Sequence, residues 1–256
     1  SRKLRRGPSS PLSMDADADV PVGHRGGPPL YGRMMAAIRR GHSLGNTIRM
    51  LKLPLIFCEE RLYADAIAQF FALSAALETA LERHATDPMV AKVRELGLRV
   101  TPGYESDLAE LYSRDGCTDW RQRANDSLTT ATRRYVQIVE TSSPVELVSA
   151  AFILYGALVV GGGKATQVKV SKIFPNCKHA LFDVAEDIKD ARRRFKACFT
   201  EIGKSWPEHF GELEADAARF MGLNNTVVLS IRCVGRRVGG VALGVGVAGL
   251  VTMWLL

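Results

Sequence analysis

The stretch at 58–84 constrains the fold most, because its apolar residues recur at intervals of three and four positions. Such spacing places side chains on one face of an α-helix, whereas a half-buried strand needs alternation with a period of two. Glu59 and Glu60 would stand in the first turn, where the helix dipole favours negative charge. A helix of this kind needs other helices to cover its apolar face, which consists of Leu62, Ala66, Phe70, Leu73, Leu77 and Leu81.

The rest of the middle of the chain also shows helical patterns. Asp87 suits a helix cap, Pro88 the first helical position and Gly97 the stop. We predict an all-α bundle over residues 31–235, without internal repeats. Its later helices are predicted at 104–113, 128–140, 144–160, 165–173, 180–202 and 207–232.

The two ends differ from this middle part. Residues 1–30 are rich in Pro, Gly, Ser and Asp-Ala, so we predict a disordered segment. Residues 238–256 form an uncharged apolar run of 19 residues, which is long enough to cross a bilayer as a helix. Arginines precede this run, so we expect a C-terminal membrane anchor with the bundle on the cytosolic side. The alternative is a buried core helix.

The expected membrane is that of the endoplasmic reticulum, with the mitochondrial or plastid outer membrane as alternatives. The net charge of +7 could suit nucleic acid, but the basic residues occur in small separate groups, so no nucleic-acid partner is predicted. The five cysteines are widely spaced and form no C-x-x-C pair. This pattern favours reduced thiols over a disulfide framework or structural zinc.

The segment AAFILYGALVVGGGKATQV at 150–168 carries three consecutive glycines. Glycine costs about 1 kcal/mol relative to alanine inside a helix, so the run should interrupt one. A phosphate-binding loop is excluded because Lys164 is followed by Ala165 and Leu158 stands at the first glycine position. The remaining interpretation is a helix bent at 161–163, where backbone lies close to a flat ligand or to another helix.

Several segments, in this order and spacing, resemble the haem oxygenases. RRYVQIVETSSPVELVSAAFILYGALVVGGGKATQVKVSKIF resembles their distal-helix region, and SDLAELYSRDGCTDW an upstream D-L-x-x-L-Y…W segment. IRRGHSLGNTIRMLKLPLIFCEERLYADAIAQFFALSAALETALE resembles the first two helices, while RRFKACFTEIG and ADAARFMGLNNTVVL resemble the last ones. The resemblance covers about residues 35–232. It implies a haem-oxygenase-like helical bundle that takes haem as cofactor and substrate. The products would be biliverdin, CO and Fe²⁺, with electrons from an NADPH-dependent reductase.

The resemblance also implies roles for residues on the first helix. His42 matches the proximal ligand, an axial imidazole on the haem iron. Asn46 lies four residues later, where the family usually has an acid that orients the imidazole, and its amide oxygen could do the same. The other histidines match no ligand position and are interpreted as surface residues: His24, His84, His179 and His209.

Further matches lie on later helices. Gly161 and Gly162 match the paired glycines that let the distal helix cross the haem face. Lys196 matches a basic residue that pairs with a haem propionate, although an ordinary solvated lysine is the alternative. Asn224 matches an asparagine of the last helix, which we interpret as structural.

The sequence departs from the family at the groups that handle oxygen. The family uses an aspartate to hold a distal water, and Leu158 replaces it here. Leu154 and Val160 replace an arginine and a serine that assist it, so we expect a dry distal pocket lined by these three side chains. The other departures are Ala157 for a glycine, Phe152 for a tyrosine and Thr200 for an arginine.

Three functions follow. The first is a haem oxygenase anchored to a membrane. The second, favoured by Leu158, is a degenerate relative that binds haem as a sensor or carrier without opening the ring. The third is a membrane-tethered helical interaction protein without a cofactor. The Asn-Trp-Gly-Arg motif of the groove in such proteins does not occur in the sequence, so this function ranks last.

Overall fold

The structure is a computed structural model that describes residues 28–234. The predicted anchor at 238–256, and all but the last three residues of the predicted disordered segment, lie outside the described residues. Leu30 already belongs to the first helix and is buried.

The described residues form helices joined by turns and loops, and they contain no strand, which confirms the all-α prediction. Short 3₁₀ helices at Ala180–Phe182 and Pro207–His209 separate some of the longer helices. The α-helices are α1 Leu30–Ile56, α2 Glu60–Arg83, α3 Pro88–Arg94, α4 Thr101–Arg114, α5 Trp120–Ser127, α6 Thr130–Thr141, α7 Pro144–Val159, α8 Gly163–Ile173, α9 Ile188–Ser205 and α10 Phe210–Ser230.

Helix α2 lies at the centre of the bundle, as its apolar periodicity predicts. It packs against α4, α5, α6 and α7, and Leu73 and Leu77 are fully buried. By length and composition α2 could cross a membrane, as could α7 and α8 if the bent pair counted as one span. However, 61% of the α2 window is buried inside the protein, as in a core helix.

One predicted helix differs from the structure, and one observed helix was not predicted. The segment 180–202 is not one helix, because the chain breaks after Phe182 and α9 begins only at Ile188. Asp187 causes this late start, since its carboxylate accepts hydrogen bonds from the amides of Lys189 and Asp190 and so caps the helix there. Helix α5, capped by Asp119, was not predicted.

The glycine run bends the chain as predicted. Ser143 and Glu146 form a capping box that starts α7. The axes of α7 and α8 differ by 52° across the break. Gly162 takes a φ of +88° there, a left-handed conformation that disfavours residues with a Cβ.

Candidate functional site

A cleft opens between α1 and α10 on one side and α7 and α9 on the other, and the space between its walls is about 690 Å³ with the open solvent at its mouth included. No aspartate or glutamate is among the described residues that line it. The lining comprises Tyr31, Met35, Ile38, His42, Gly45 and Arg49 from α1, Phe152, Ile153, Gly156, Ala157, Val160 and Gly161 from α7 and the bend, Phe195 from α9, and Met221, Asn224, Asn225 and Val228 from α10.

His42 is half-buried on the α1 wall. Burial lowers its pKa below the ordinary histidine value, and the positive charge of Arg49 lowers this pKa further. The imidazole is therefore neutral near pH 7, and a nitrogen lone pair is available to bind a metal.

A buried amide joins the two helices on this side of the cleft. Asn225 donates a hydrogen bond from Nδ2 to the carbonyl oxygen of Gly41 (2.7 Å) and is 6% exposed. Gly41 and Gly45 stand one turn apart and leave room for α10 beside His42. A Cβ on Gly45 would overlap Oδ1 of Asn225. The sequence analysis did not predict this contact. Two glycines four residues apart on one helix could have indicated that another helix packs closely there.

The two predicted asparagines occupy different surroundings. Asn224 is half-buried and lines the cleft. Asn46 is exposed and outside the lining. Its amide oxygen accepts a hydrogen bond from Arg49, and among the described contacts none joins it to His42. The structure thus places Asn46 beside Arg49 and not against the imidazole.

The α7 wall of the cleft is apolar, but two of the three side chains expected there do not line it. Val160 does, whereas Leu154 is buried and Leu158 packs against the core. The reason is helical phase: Ile153 and Ala157 lie on the cleft face, and the next residue along the helix points about 100° away. The lining on this side is apolar, but two of its apolar side chains are Ile153 and Ala157 in place of Leu154 and Leu158.

The glycines of the bend have separate roles. Gly161 lines the cleft, and its amide and that of Val160 both donate to the carbonyl of Gly156 (2.9 Å each). Gly162 supplies the left-handed turn and is outside the lining. Arg192 of α9 donates to the carbonyl of Val159 (2.9 Å), which satisfies a group at the end of α7.

Aromatic residues fill one end of the cleft. The ring of Phe152 is stacked on Phe195 at 5.9 Å and meets Tyr31 edge-on at 5.8 Å. Nζ of Lys196 lies 6.0 Å from the centre of the Tyr31 ring, beside the cleft but outside its lining. Thr200 donates its hydroxyl to the backbone carbonyl of Lys196 (2.9 Å).

The interpretation of His179 as a surface residue is wrong. Its side chain is fully buried, and Nδ1 lies 3.2 Å from the hydroxyl of Tyr63 while Nε2 lies 3.0 Å from the carbonyl of Phe174. Asp107 accepts hydrogen bonds from the next two backbone amides, at 2.8 and 2.9 Å. These contacts fix the turn between α8 and α9 and do not belong to the cleft.

Comparison with known proteins agrees with this architecture. The family model described as heme oxygenase matches residues 32–207. A curated relative, "Heme oxygenase 1" of Nostoc sp., is 24% identical over 178 residues, which are 67% of this chain and 71% of the relative.

Solved structures of named heme oxygenases share the fold. Heme oxygenase 2 of Chlamydomonas reinhardtii, determined without heme, has a TM-score of 0.73 and 26% identity and covers 81% of this chain and 100% of its own. Heme oxygenase-2 of Synechocystis sp., in complex with heme and NO, has a TM-score of 0.69 and 20% identity over 80% of this chain and 85% of its own. The family model covers well over half of the chain, so the chain belongs to the haem oxygenase family.

Proposed function

We propose that this protein binds haem in the cleft through His42 and cleaves it to biliverdin, CO and Fe²⁺. The observation that carries the proposal is a neutral imidazole on one wall of a cleft whose opposite wall is apolar and rich in glycine. A planar apolar macrocycle with a central metal fits this pair of walls. The absence of acidic side chains from the described lining also suits a ligand with carboxylates.

The residues of the two cleft walls would have different roles. His42 would supply a nitrogen ligand to the haem iron, and Asn225 holds α10 against α1 beside it. Gly156 and Gly161 let the α7 backbone approach a flat ring. Val160 and its apolar neighbours exclude water. Bound haem would supply the iron that binds oxygen, and electrons would come from an NADPH-dependent reductase.

A second function is favoured by the composition of the α7 wall. This wall offers no side chain that donates or accepts a hydrogen bond: its lining residues are Phe152, Ile153, Gly156, Ala157, Val160 and Gly161. Leu158, which replaces the aspartate of the family, cannot hold a water molecule either. The alternative is therefore a protein that holds haem, as a sensor or carrier, without opening the ring.

One experiment tests haem binding. The full chain in mild detergent is titrated with hemin, and we expect the Soret band to sharpen and shift from its position in free hemin, a change that His42→Ala abolishes. His84→Ala is the matched control, since His84 is half-buried at the end of α2 and outside the cleft lining. If the native chain left the Soret band of free hemin unchanged, both proposed functions would be excluded.

A second measurement separates the two functions. The haem-loaded chain is reduced by ascorbate in the presence of oxygen, and ring opening is followed by biliverdin absorbance and by CO release. Biliverdin formation supports the oxygenase. Recovery of intact haem would refute the oxygenase and support the holding function.

We also propose that the protein is anchored to the endoplasmic reticulum membrane with the bundle on the cytosolic face. The support is the apolar run at 238–256 with arginines before it. The test is cell fractionation of the full chain and of a chain ending at residue 237. Recovery of both in the soluble fraction would refute anchoring, and imaging of a fluorescent fusion would show which membrane is used.

A further inference from the structure

Arg49 is a cation of the cleft without an anionic partner. It is half-buried and lines the cleft two turns after His42 on the same face of α1. Its guanidinium donates a hydrogen bond to the neutral amide of Asn46. Within residues 28–234, Arg49 makes no ion pair with a carboxylate.

Other half-buried arginines of the bundle behave differently. Arg33 pairs with Glu214, and Arg123 lies 3.4 Å from Asp65. A charge that is partly withdrawn from water is costly unless it is paired. Arg49 therefore has an unmet requirement for an anion, and it faces the space where a ligand would lie.

The distance between His42 and Arg49 along α1 matches a ligand that carries both a metal and a carboxylate. Seven residues advance a helix by about 10.5 Å. This is the length scale that separates the iron of haem from its peripheral carboxylates. A guanidinium is also the side chain best suited to a carboxylate, because its planar fork binds both oxygens.

We propose that Arg49 forms an ion pair with a propionate of the bound haem, an inference that rests on the proposed function. The carboxylate edge of the ring then lies toward the C-terminal half of α1, beside Asn224 and Val228 of α10. The resemblance instead directs this edge toward Lys196, which lies beside Tyr31. Arg49 is thus a positioning residue that sets the orientation of the ring in its plane.

The test compares two probes that differ only in charge. Hemin and hemin dimethyl ester, whose carboxylates are blocked, are titrated into the full chain in detergent and followed by the Soret band. We expect Arg49→Gln to weaken hemin binding about tenfold or more, and to leave ester binding unchanged. Arg49→Lys should restore part of the loss. Arg40→Gln is the matched control, an exposed arginine of the same helix outside the cleft.

Each of the following results would contradict the proposed ion pair. Equal hemin affinity of Arg49→Gln and the native chain would show that Arg49 does not bind a propionate. An equal loss with hemin and with the ester would indicate a structural role. A loss confined to hemin in Lys196→Gln, with none in Arg49→Gln, would place the propionates at Lys196. A native chain that bound neither probe would refute the proposed function as well, whereas the first three results leave it intact.

Discussion

Gly45→Ala tests whether the contact between α1 and α10 holds the cleft in shape. In an ordinary helix this substitution stabilises by about 1 kcal/mol. Here the new Cβ would overlap Oδ1 of Asn225 and lie 3.2 Å from its Cγ, so the whole amide must turn. Its hydrogen bond to the carbonyl of Gly41 would then be lost.

The structure allows the magnitude to be worked out. Loss of the bond leaves a buried amide unpaired and costs about 1–3 kcal/mol. Forcing the side chain of Asn225 from its rotamer adds about 0.5–1.5 kcal/mol. After subtraction of the gain in helix propensity, we expect Gly45→Ala to lower the free energy of unfolding by about 2 kcal/mol. For a domain of this size the Tm falls by about 4–8 °C.

A double-mutant cycle sharpens the assay, which is thermal and urea unfolding of the full chain followed by circular dichroism. In an Asn225→Ala background the amide that the new Cβ would overlap is absent, so Gly45→Ala should raise the free energy of unfolding by about 1 kcal/mol. The sign of the effect therefore reverses between the two backgrounds. A stabilising effect of Gly45→Ala in both would refute the reasoning. Gly41→Ala should cost less than Gly45→Ala, because its Cβ would overlap only the flexible side chain of Met221 (2.8 Å from Cγ) and would lie at ordinary contact distance from Nδ2 of Asn225 (3.7 Å).

Three further predictions concern other residues. Gly162→Ala should destabilise the fold by about 1–2 kcal/mol in urea unfolding, because φ is +88° there, whereas Gly222→Ala, at an open helical position, should not destabilise it. Tyr63→Phe should cost about 1–3 kcal/mol in the same assay, because the buried imidazole of His179 loses its partner on Nδ1, and an unchanged stability would contradict this role. Arg49→Gln should raise the pKa of His42, since a neighbouring positive charge is removed. Under the proposed function hemin binding needs the neutral imidazole, so the loss of binding on acidification should begin at a higher pH in this variant. An NMR titration of the imidazole that shows no rise in the pKa would contradict the effect of Arg49 on His42.

The parts of the fold that the sequence predicts are those set by local chemistry. The apolar periodicity of α2, the cap at Asp87 and the bend at Gly162 each depend on residues close in sequence, and the structure has all three. The face that α7 turns toward the cleft could not be predicted, because its residues are apolar on every side. The sequence therefore could not show that Leu158 points away from the cleft face.

Contacts between distant residues were not predictable from patterns. Asn225 and Asn224 look alike in the sequence, and only the placement of α10 on α1 decides which one bonds to Gly41 and which one lines the cleft. His179 is buried because Tyr63, 116 positions away, meets its ring. The position of Arg49 in the cleft could not be predicted, because no local sequence rule distinguishes a surface arginine from one in a cleft.

The pairing of the first and last helices has a consequence for how the protein is made. The hydrogen bond beside His42 joins residues 184 positions apart in the chain. During synthesis the central layer of α2, α4, α6 and α7 is complete before α10 leaves the ribosome. Closing so long a loop is the slow kind of step in folding. His42 therefore stays without the α10 wall until translation of the bundle ends, and under the proposed function haem would be loaded only onto a finished domain.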